Sequence, residues 1–310
     1  MKVGVTRKLP GCESALLSRA FRDVDYWNES RAMARADLLK MAAETEVLVC
    51  TLNEKIDEEL LTAATRLQCL ITFSVGMDHI DVPAVLKRNL KLVHTPDVLT
   101  DATADLTWAL ILGCARRLKP ALRFLEEGKF QNFDPNLLLG LELRGRVLGI
   151  VGYGKIGRAV GLRAGGFGMT ELHCGRPGKS EMPLEEVLKK SDVVSLHCPS
   201  NAETHHLISR RELQWMKSHA ILVNTARGPL VDEVAATAHL RSHPDFYLGL
   251  DVFEFEPKVP DVFKQLPNTF CLPHIGSATR TSREAMGRVC MEEAIRFAKG
   301  EALQYEYRHS

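Results

Sequence analysis

Three side chains in the second half of the chain have the types needed to reduce a carbonyl. Arg227 follows the apolar run 221–224, Glu256 follows 248–253, and His274 follows 270–272. An arginine offers a planar fork for a substrate carboxylate. A histidine can give a proton to a developing alkoxide. A glutamate can hold that imidazole in place and favour its charged form. Spacing alone leaves a plainer alternative open: a surface ion pair for Arg227 and Glu256, and a turn histidine for His274. His205, His206 and His243 read as solvated loop residues, and no His or carboxylate cluster has metal-ligand spacing along the chain.

For these three to act together, each must end a strand of one parallel sheet, because ligands of open α/β sheets bind beyond the carboxyl ends of the strands. The chain supplies such a pattern. The apolar run Val147-Leu-Gly-Ile-Val151 is followed by Gly152, Gly154 and Gly157 at G-x-G-x-x-G spacing, and a helix is expected over 156–167. Gly152 permits the tight turn, Gly154 lets the backbone approach a pyrophosphate, and Gly157 lets helix and strand pack closely. The start of the helix offers unpaired N–H groups and the positive end of a dipole to that anion. Between a strand and a helix, this fingerprint points to a dinucleotide.

Strands are then expected at 171–174, 192–196, 220–224, 247–252 and 270–272, with helices at 183–190, 210–216 and 231–240. This alternation describes a doubly wound parallel sheet. The first hundred residues show the same alternation without a glycine fingerprint, with strands at 3–5, 46–50, 69–73 and 92–94 and helices at 13–21, 56–64 and 83–88. After the third of these strands come Ser74, Val75 and Gly76, where backbone N–H groups could hold an anion; a glycine-requiring turn is the equal alternative. A linker at 95–103 leads into a long apolar helix at 102–117, capped by Thr100 or Asp101, with Trp108 in the core. Pro120 should break or kink it, and 121–127 resumes it. Leu137 to Leu139 form an apolar tip within an irregular stretch, fit to pack internally, line a substrate entrance or meet a second subunit. The final helix, 280–299, is long enough to return to the first domain.

The division expected is therefore 1–98 with 284–310 as one domain and 99–283 as the other. Lys plus Arg number 40 and Asp plus Glu 39, which points to neither a nucleic-acid nor a membrane partner. There is no signal-peptide pattern at the start. Eight scattered cysteines without a C-x-x-C suit buried thiols in a reducing cytoplasm.

Taken together, Gly152-Tyr-Gly-Lys-Ile-Gly157, Leu196-His-Cys-Pro199, Asn224-Thr-Ala-Arg-Gly-Pro-Leu-Val-Asp232, Leu250-Asp-Val-Phe-Glu-Phe-Glu-Pro257 and Pro273-His-Ile-Gly276 resemble the D-2-hydroxyacid dehydrogenases over essentially the whole chain. The resemblance implies two similar α/β domains with a cleft between them, a flavodoxin-like substrate domain and a Rossmann dinucleotide-binding domain. It implies that Arg227 binds the substrate carboxylate and carbonyl, that His274 is the proton donor, and that Glu256, the glutamate before proline, is its partner rather than Glu254. Asp251 and the Ala226 backbone would meet the nicotinamide carboxamide. Lys155, Ile156 and Pro199 would join the three glycines around the cofactor. Val75 and Gly76, with Ser74, would bind the substrate. It also implies a homodimer paired through the nucleotide-binding domain.

Nicotinamide choice rests on the second strand of that domain. An acid about 20 residues past the glycines would hold a ribose 2′-OH. Here Cys174 ends the strand and Gly175-Arg-Pro-Gly-Lys-Ser180 follows, so Arg176, Lys179 and Ser180 suit a 2′-phosphate. NADP(H) is expected to be preferred, NAD(H) to be possible, and no metal to be needed. Thr95-Pro-Asp-Val-Leu-Thr100, the Arg176 loop and Ser74-Val-Gly76 look most similar to the glyoxylate/hydroxypyruvate reductase branch. Reduction of 2-ketogluconate or a bulkier keto acid is the alternative activity, and an NAD(P)-sensing binding protein the alternative class.

Overall fold

A computed structural model describes residues 1–29, 31–175 and 182–307. The chain divides into two compact units, 1–99 with 277–310 and 100–276.

In the first unit, β1 (Lys2–Val5), α1 (Ser14–Leu17), β2 (Asp23–Tyr26), α2 (Arg35–Glu44), β3 (Val47–Cys50), α3 (Glu58–Ala63), β4 (Cys69–Thr72), α4 (Val82–Lys87) and β5 (Lys91–Val93) succeed one another. The sheet runs β2-β1-β3-β4-β5, all pairs parallel. β3 and β4 are buried along their whole length, as strands covered on both faces must be. Apolar runs made β1, β3, β4 and β5 legible. β2 (Asp-Val-Asp-Tyr) was not expected, because an edge strand with no buried residue carries no apolar run. The helix expected over 13–21 is one turn and a tail: α1 stops at Leu17. α2 escaped notice because only Leu38, Met41 and Ala42 of its ten residues are buried, and the charged Arg35, Asp37, Lys40 and Glu44 interrupt its apolar pattern.

The second unit opens with α5 (Thr100–Ala115), α6 (Leu118–Glu126), β6 (Val147–Val151), α7 (Lys155–Ala164) and β7 (Thr170–Cys174). It continues with α8 (Leu184–Lys190), β8 (Val193–Leu196), α9 (Arg210–Trp215), β9 (Ile221–Asn224), α10 (Glu233–Ser242), β10 (Tyr247–Leu250), α11 (Asp261–Gln265) and β11 (Thr269–Cys271). Its parallel sheet runs β11-β10-β9-β8-β6-β7. Counted within the unit, the order reverses beside the first strand, as it does in the first unit, and that reversal is the usual ligand crevice of a doubly wound sheet. α5 is buried against α7 and β9 to β11 within this unit, and Trp108 lies in its core, its Nε1–H donating to Val160 O at 3.0 Å. Thr100 and Asp101 are inside α5 rather than ahead of it. The helix breaks at Arg117, which takes a left-handed φ of 51°, and Pro120 then sits in the first turn of α6, where its missing N–H costs no helical bond.

α12 (Arg280–Ala298) belongs to the first unit throughout, packed on α1 and β4, so the chain re-enters that unit at 277. Among the described residues no helix is long and apolar enough to cross a membrane.

Candidate active site

Turn chemistry at the end of β9 sets the arginine. Asn224 ends the strand fully buried; its Oδ1 accepts from Ala226 N–H at 3.0 Å and its Nδ2 donates to Arg227 O at 2.8 Å. This fixes the backbone of 224–227 and presents the Arg227 side chain beyond the sheet edge, with Nη1 donating to Ala226 O at 2.6 Å. The role of Asn224 was not singled out from the sequence. An asparagine closing a strand two residues before a turn amide was the available signal.

Glu256 and His274 lie 18 residues apart in the chain and meet in space: His274 Nδ1 and Glu256 Oε2 are 2.7 Å apart. The other carboxylate oxygen, Oε1, accepts from Phe253 N–H at 2.9 Å, so both oxygens are held. Burial pushes the Glu256 carboxyl up, but the hydrogen bond and charge of His274, the Phe253 N–H and the charge of Arg227 outweigh it and bring it below the ordinary carboxylate value. The histidine and the arginine expected at this edge therefore both act on the one carboxylate. His274 itself has a left-handed φ of 54°, an uncommon conformation for a residue with a side chain. Its N–H donates to Asp251 O at 2.8 Å.

Asp251, one residue past β10 and 1% exposed, anchors the segment that carries the histidine: Oδ1 accepts from Ile275 N–H at 2.8 Å and Oδ2 from Gly276 N–H at 2.7 Å. Burial raises its carboxyl above the ordinary value despite those amides and the nearby charge of His274. Its two oxygens are thus engaged with backbone amides of 275 and 276.

At the switch point of the same sheet, β6 gives way to Gly152, whose φ is 94°. A Cβ there would lie 2.5 Å from Cys198 N, so only glycine fits. A Cβ at Gly157 would lie 2.2 Å from Gly152 O, which is the close strand–helix approach expected of the third glycine. A Cβ at the exposed Gly154 would meet nothing within 4 Å, so the approach to its backbone is open. Gly154 is the N-cap of α7 and has no side chain to satisfy the first-turn amides, and Lys155 and Ile156 open the helix. Pro199 lies just beyond β8, its carbonyl accepting from Thr204 Oγ1 at 2.8 Å. These features fit a dinucleotide. Arg176, Lys179 and Ser180 lie outside the described residues.

Ser74, Val75 and Gly76 come after β4 at the carboxyl edge of the first unit's sheet. The Ser74 hydroxyl is 2.7 Å from Thr72 Oγ1 and donates to Gly76 O at 2.7 Å. It is committed to ordering its own turn. Among the described residues the Val75 and Gly76 N–H groups have no hydrogen-bond partner.

His206 departs from its reading as a solvated loop residue. Its Nε2 is 2.8 Å from Glu254 Oε1, and His205 Nε2 is 4.0 Å from the same oxygen. The 48 residues between His206 and Glu254 concealed the cluster from any spacing rule.

A doubly wound sheet with a glycine-rich turn at its switch point, and a paired His and Glu beside an Arg on the same edge, define a nicotinamide-dependent oxidoreductase. Residues 108–276 match the family described as D-isomer specific 2-hydroxyacid dehydrogenase, NAD binding domain, and the chain belongs to that family. It is 40% identical to a glyoxylate reductase of Thermococcus litoralis over 97% of this chain and 94% of that one. Among solved structures it is similar to the TT0316 protein of Thermus thermophilus, with a TM-score of 0.91 and 42% identity over 99% of this chain and 100% of that one. A glyoxylate reductase from Paecilomyes thermophila superposes with a TM-score of 0.87 at 28% identity over 99% and 98% of the two chains.

Proposed function

We propose that the chain reduces a small 2-keto acid of the glyoxylate or hydroxypyruvate type to the D-2-hydroxy acid, with NADPH preferred over NADH. The observation that carries the reading is the 2.7 Å pair of His274 and Glu256, with the charge of Arg227 reaching the same carboxylate. The glyoxylate reductases at about 40% identity over nearly full length support the substrate class.

When bound, the nicotinamide supplies a hydride to C2 of the keto acid. Arg227 pairs with the substrate carboxylate and draws electron density toward the carbonyl oxygen. As the C=O π pair moves onto that oxygen, His274 donates a proton to it from Nε2, because Nδ1 is tied to Glu256. Glu256, held anionic by its surroundings, stabilises the charged imidazole before the transfer. Solvent then returns the proton to His274. Val75 and Gly76 add backbone donors to the substrate, with Ser74 ordering their turn. Gly152, Gly154, Lys155, Ile156, Gly157 and Pro199 would hold the pyrophosphate, and the Ala226 backbone and Asp251, whose oxygens also accept from the amides of 275 and 276, would hold the carboxamide. Cys174 ends β7 where an NAD site would place an acid, which leaves Arg176 to meet a 2′-phosphate.

The protein acts as a homodimer in the cytoplasm, in this reading. α6 buries none of its residues and turns Leu118, Leu122 and Leu125 outward, with Phe130 and Phe133 exposed beyond it. A second copy covering this face of the second unit would remove that surface from water. All eight cysteines are free, as a reducing compartment keeps them.

Initial rates with NADPH and NADH on glyoxylate, hydroxypyruvate, pyruvate and 2-ketogluconate test the proposal. Highest kcat/KM for glyoxylate or hydroxypyruvate with NADPH is expected, and Arg176→Asp should cut the NADPH preference. Faster turnover of 2-ketogluconate would move the assignment to a bulkier keto acid. Tight NAD(P)H binding without turnover on any of the four would identify a sensing protein instead.

A further inference from the structure

His205 and His206 are neighbours in sequence, and neighbouring side chains ordinarily diverge. Here His206 adopts a left-handed φ of 52°, and the two rings lie side by side, centroids 4.0 Å apart and planes tilted by 30°. The backbone holds this arrangement: His206 N–H donates to Pro229 O at 2.7 Å and His205 N–H to Asn201 O at 2.9 Å. Both Nε2 atoms face one oxygen of Glu254, and one ligand atom from each of the three residues lies within 4.8 Å of the others. Glu254 is largely buried, and its own N–H donates to the carboxylate of Glu233 at 3.0 Å. The Glu254 carboxylate thus lies where the imidazoles converge, and Glu233, though burial raises its carboxyl, is close enough for its charge and that of His206 to interact.

We propose that His205, His206 and Glu254 form a site for one borderline divalent transition-metal ion of the Zn2+ class. Two imidazole nitrogens and one carboxylate oxygen are the ligand set such ions take at about 2.0–2.2 Å, with a fourth position left for water. Hard ions such as Mg2+ or Ca2+ want more oxygens than the cluster has. Ligand atoms around such an ion stand roughly 3.3–3.5 Å apart at tetrahedral angles. His206 and Glu254 must therefore open slightly from 2.8 Å, and His205 must close from 4.0 Å. His205 is 55% exposed and free to turn, so the adjustment falls on the side chain with room for it. Once bound, the ion would cross-link the 201–207 loop to the segment 253–256, 48 residues away and two residues from Glu256 at its nearest ligand.

The test is titration of the full chain with Zn2+ alone by calorimetry, and with Co2+ by visible absorption. One Co2+ per chain with tetrahedral d–d bands, displaced by Zn2+, is expected, together with a Zn2+-dependent rise in Tm. His205→Ala should weaken binding at least 10-fold and abolish the rise in Tm, while leaving the metal-free Tm and basal turnover as in the parent. Glu254→Gln, which keeps the size of the side chain, should weaken binding by a similar factor. Absence of saturable binding would overturn the proposal. So would equal affinity in both variants and the parent, which would place the ion elsewhere, as at the His274–Glu256 pair.

Discussion

In both units a carboxylate just ahead of the third strand fixes the first amide of the first strand. Glu46 Oε2 accepts from Lys2 N–H at 2.5 Å, and Asp192 Oδ2 accepts from Val147 N–H at 2.9 Å. Both sheets then wind alike, with the order reversing beside that first strand. The two units part company at the end of that strand. β6 ends in Gly152 and leads into the ten-residue α7 with uncapped amides; β1 ends in Thr6-Arg-Lys-Leu-Pro10 and leads to the four-residue α1. One winding therefore supports two kinds of edge. The topology supplies a crevice, and the residues at the crevice decide what it takes. In the first unit, the edge offers amides at Val75 and Gly76 after β4. In the second it offers a glycine turn with uncapped helix amides, an arginine and a paired histidine.

The largest effect expected on this contrast is His274→Gln. It should lower kcat by about 10²–10⁴ while leaving NADPH affinity near the parent's if, as proposed, proton donation and cofactor binding belong to different parts of the second unit's edge. Stopped-flow turnover with fluorescence titration of NADPH checks both halves, and retained turnover would remove His274 from the chemistry.

Next in size is Gly152→Ala. A Cβ 2.5 Å from Cys198 N, at a φ of 94°, forces the turn apart, so cofactor affinity should fall at least 10-fold. Unchanged NADPH binding would mean that the turn is not the pyrophosphate cradle.

The paired carboxylates sharpen the comparison through acid stability. For Asp192, burial raises the carboxyl, but the Val147 N–H, Lys217 and His219 together lower it below the ordinary value. For Glu46, the Lys2 N–H is the leading cause of a lowered value, helped by Arg66. A carboxylate depressed by folding contributes stability that is present above its unfolded value near pH 4 and is lost as pH falls through the folded one. Asp192→Asn should thus cost about 1–3 kcal/mol at pH 7 and flatten the loss below pH 4. Glu46→Gln should do the same to a smaller extent, since its partner Arg66 is mostly in water. Urea unfolding at pH 7 and pH 3 measures the difference; equal costs in the two variants would contradict the ranking by burial.

The smallest effect belongs to Ser74→Ala. Loss of the hydroxyl unties Gly76 O and Thr72 Oγ1, so KM should rise a few-fold with kcat nearly intact, and stability should fall by about 1 kcal/mol. A fall in kcat with unchanged KM would argue that Ser74 contacts the reacting atoms.

By itself the sequence determined most of what is local, though not α2, the early end of α1 at Leu17 or the Asn224 turn. Apolar runs located the strands of both sheets except β2, whose exposed edge position requires no such run. The glycine spacing marked the tight strand-to-helix turn, because a left-handed φ at Gly152 and a close helix approach at Gly157 each demand glycine whatever surrounds them. Residue types at strand ends gathered Arg227, Glu256 and His274 on one edge, since parallel strands share a carboxyl end. Tertiary structure alone decided what depends on contacts between distant segments. That Asp251 is occupied by the amides of 275 and 276, and that His205 and His206 face Glu254 across 48 residues, both result from packing. A linear pattern encodes which surfaces must be buried, but the pairing of side chains at the edges of those surfaces is set only when the sheets have formed.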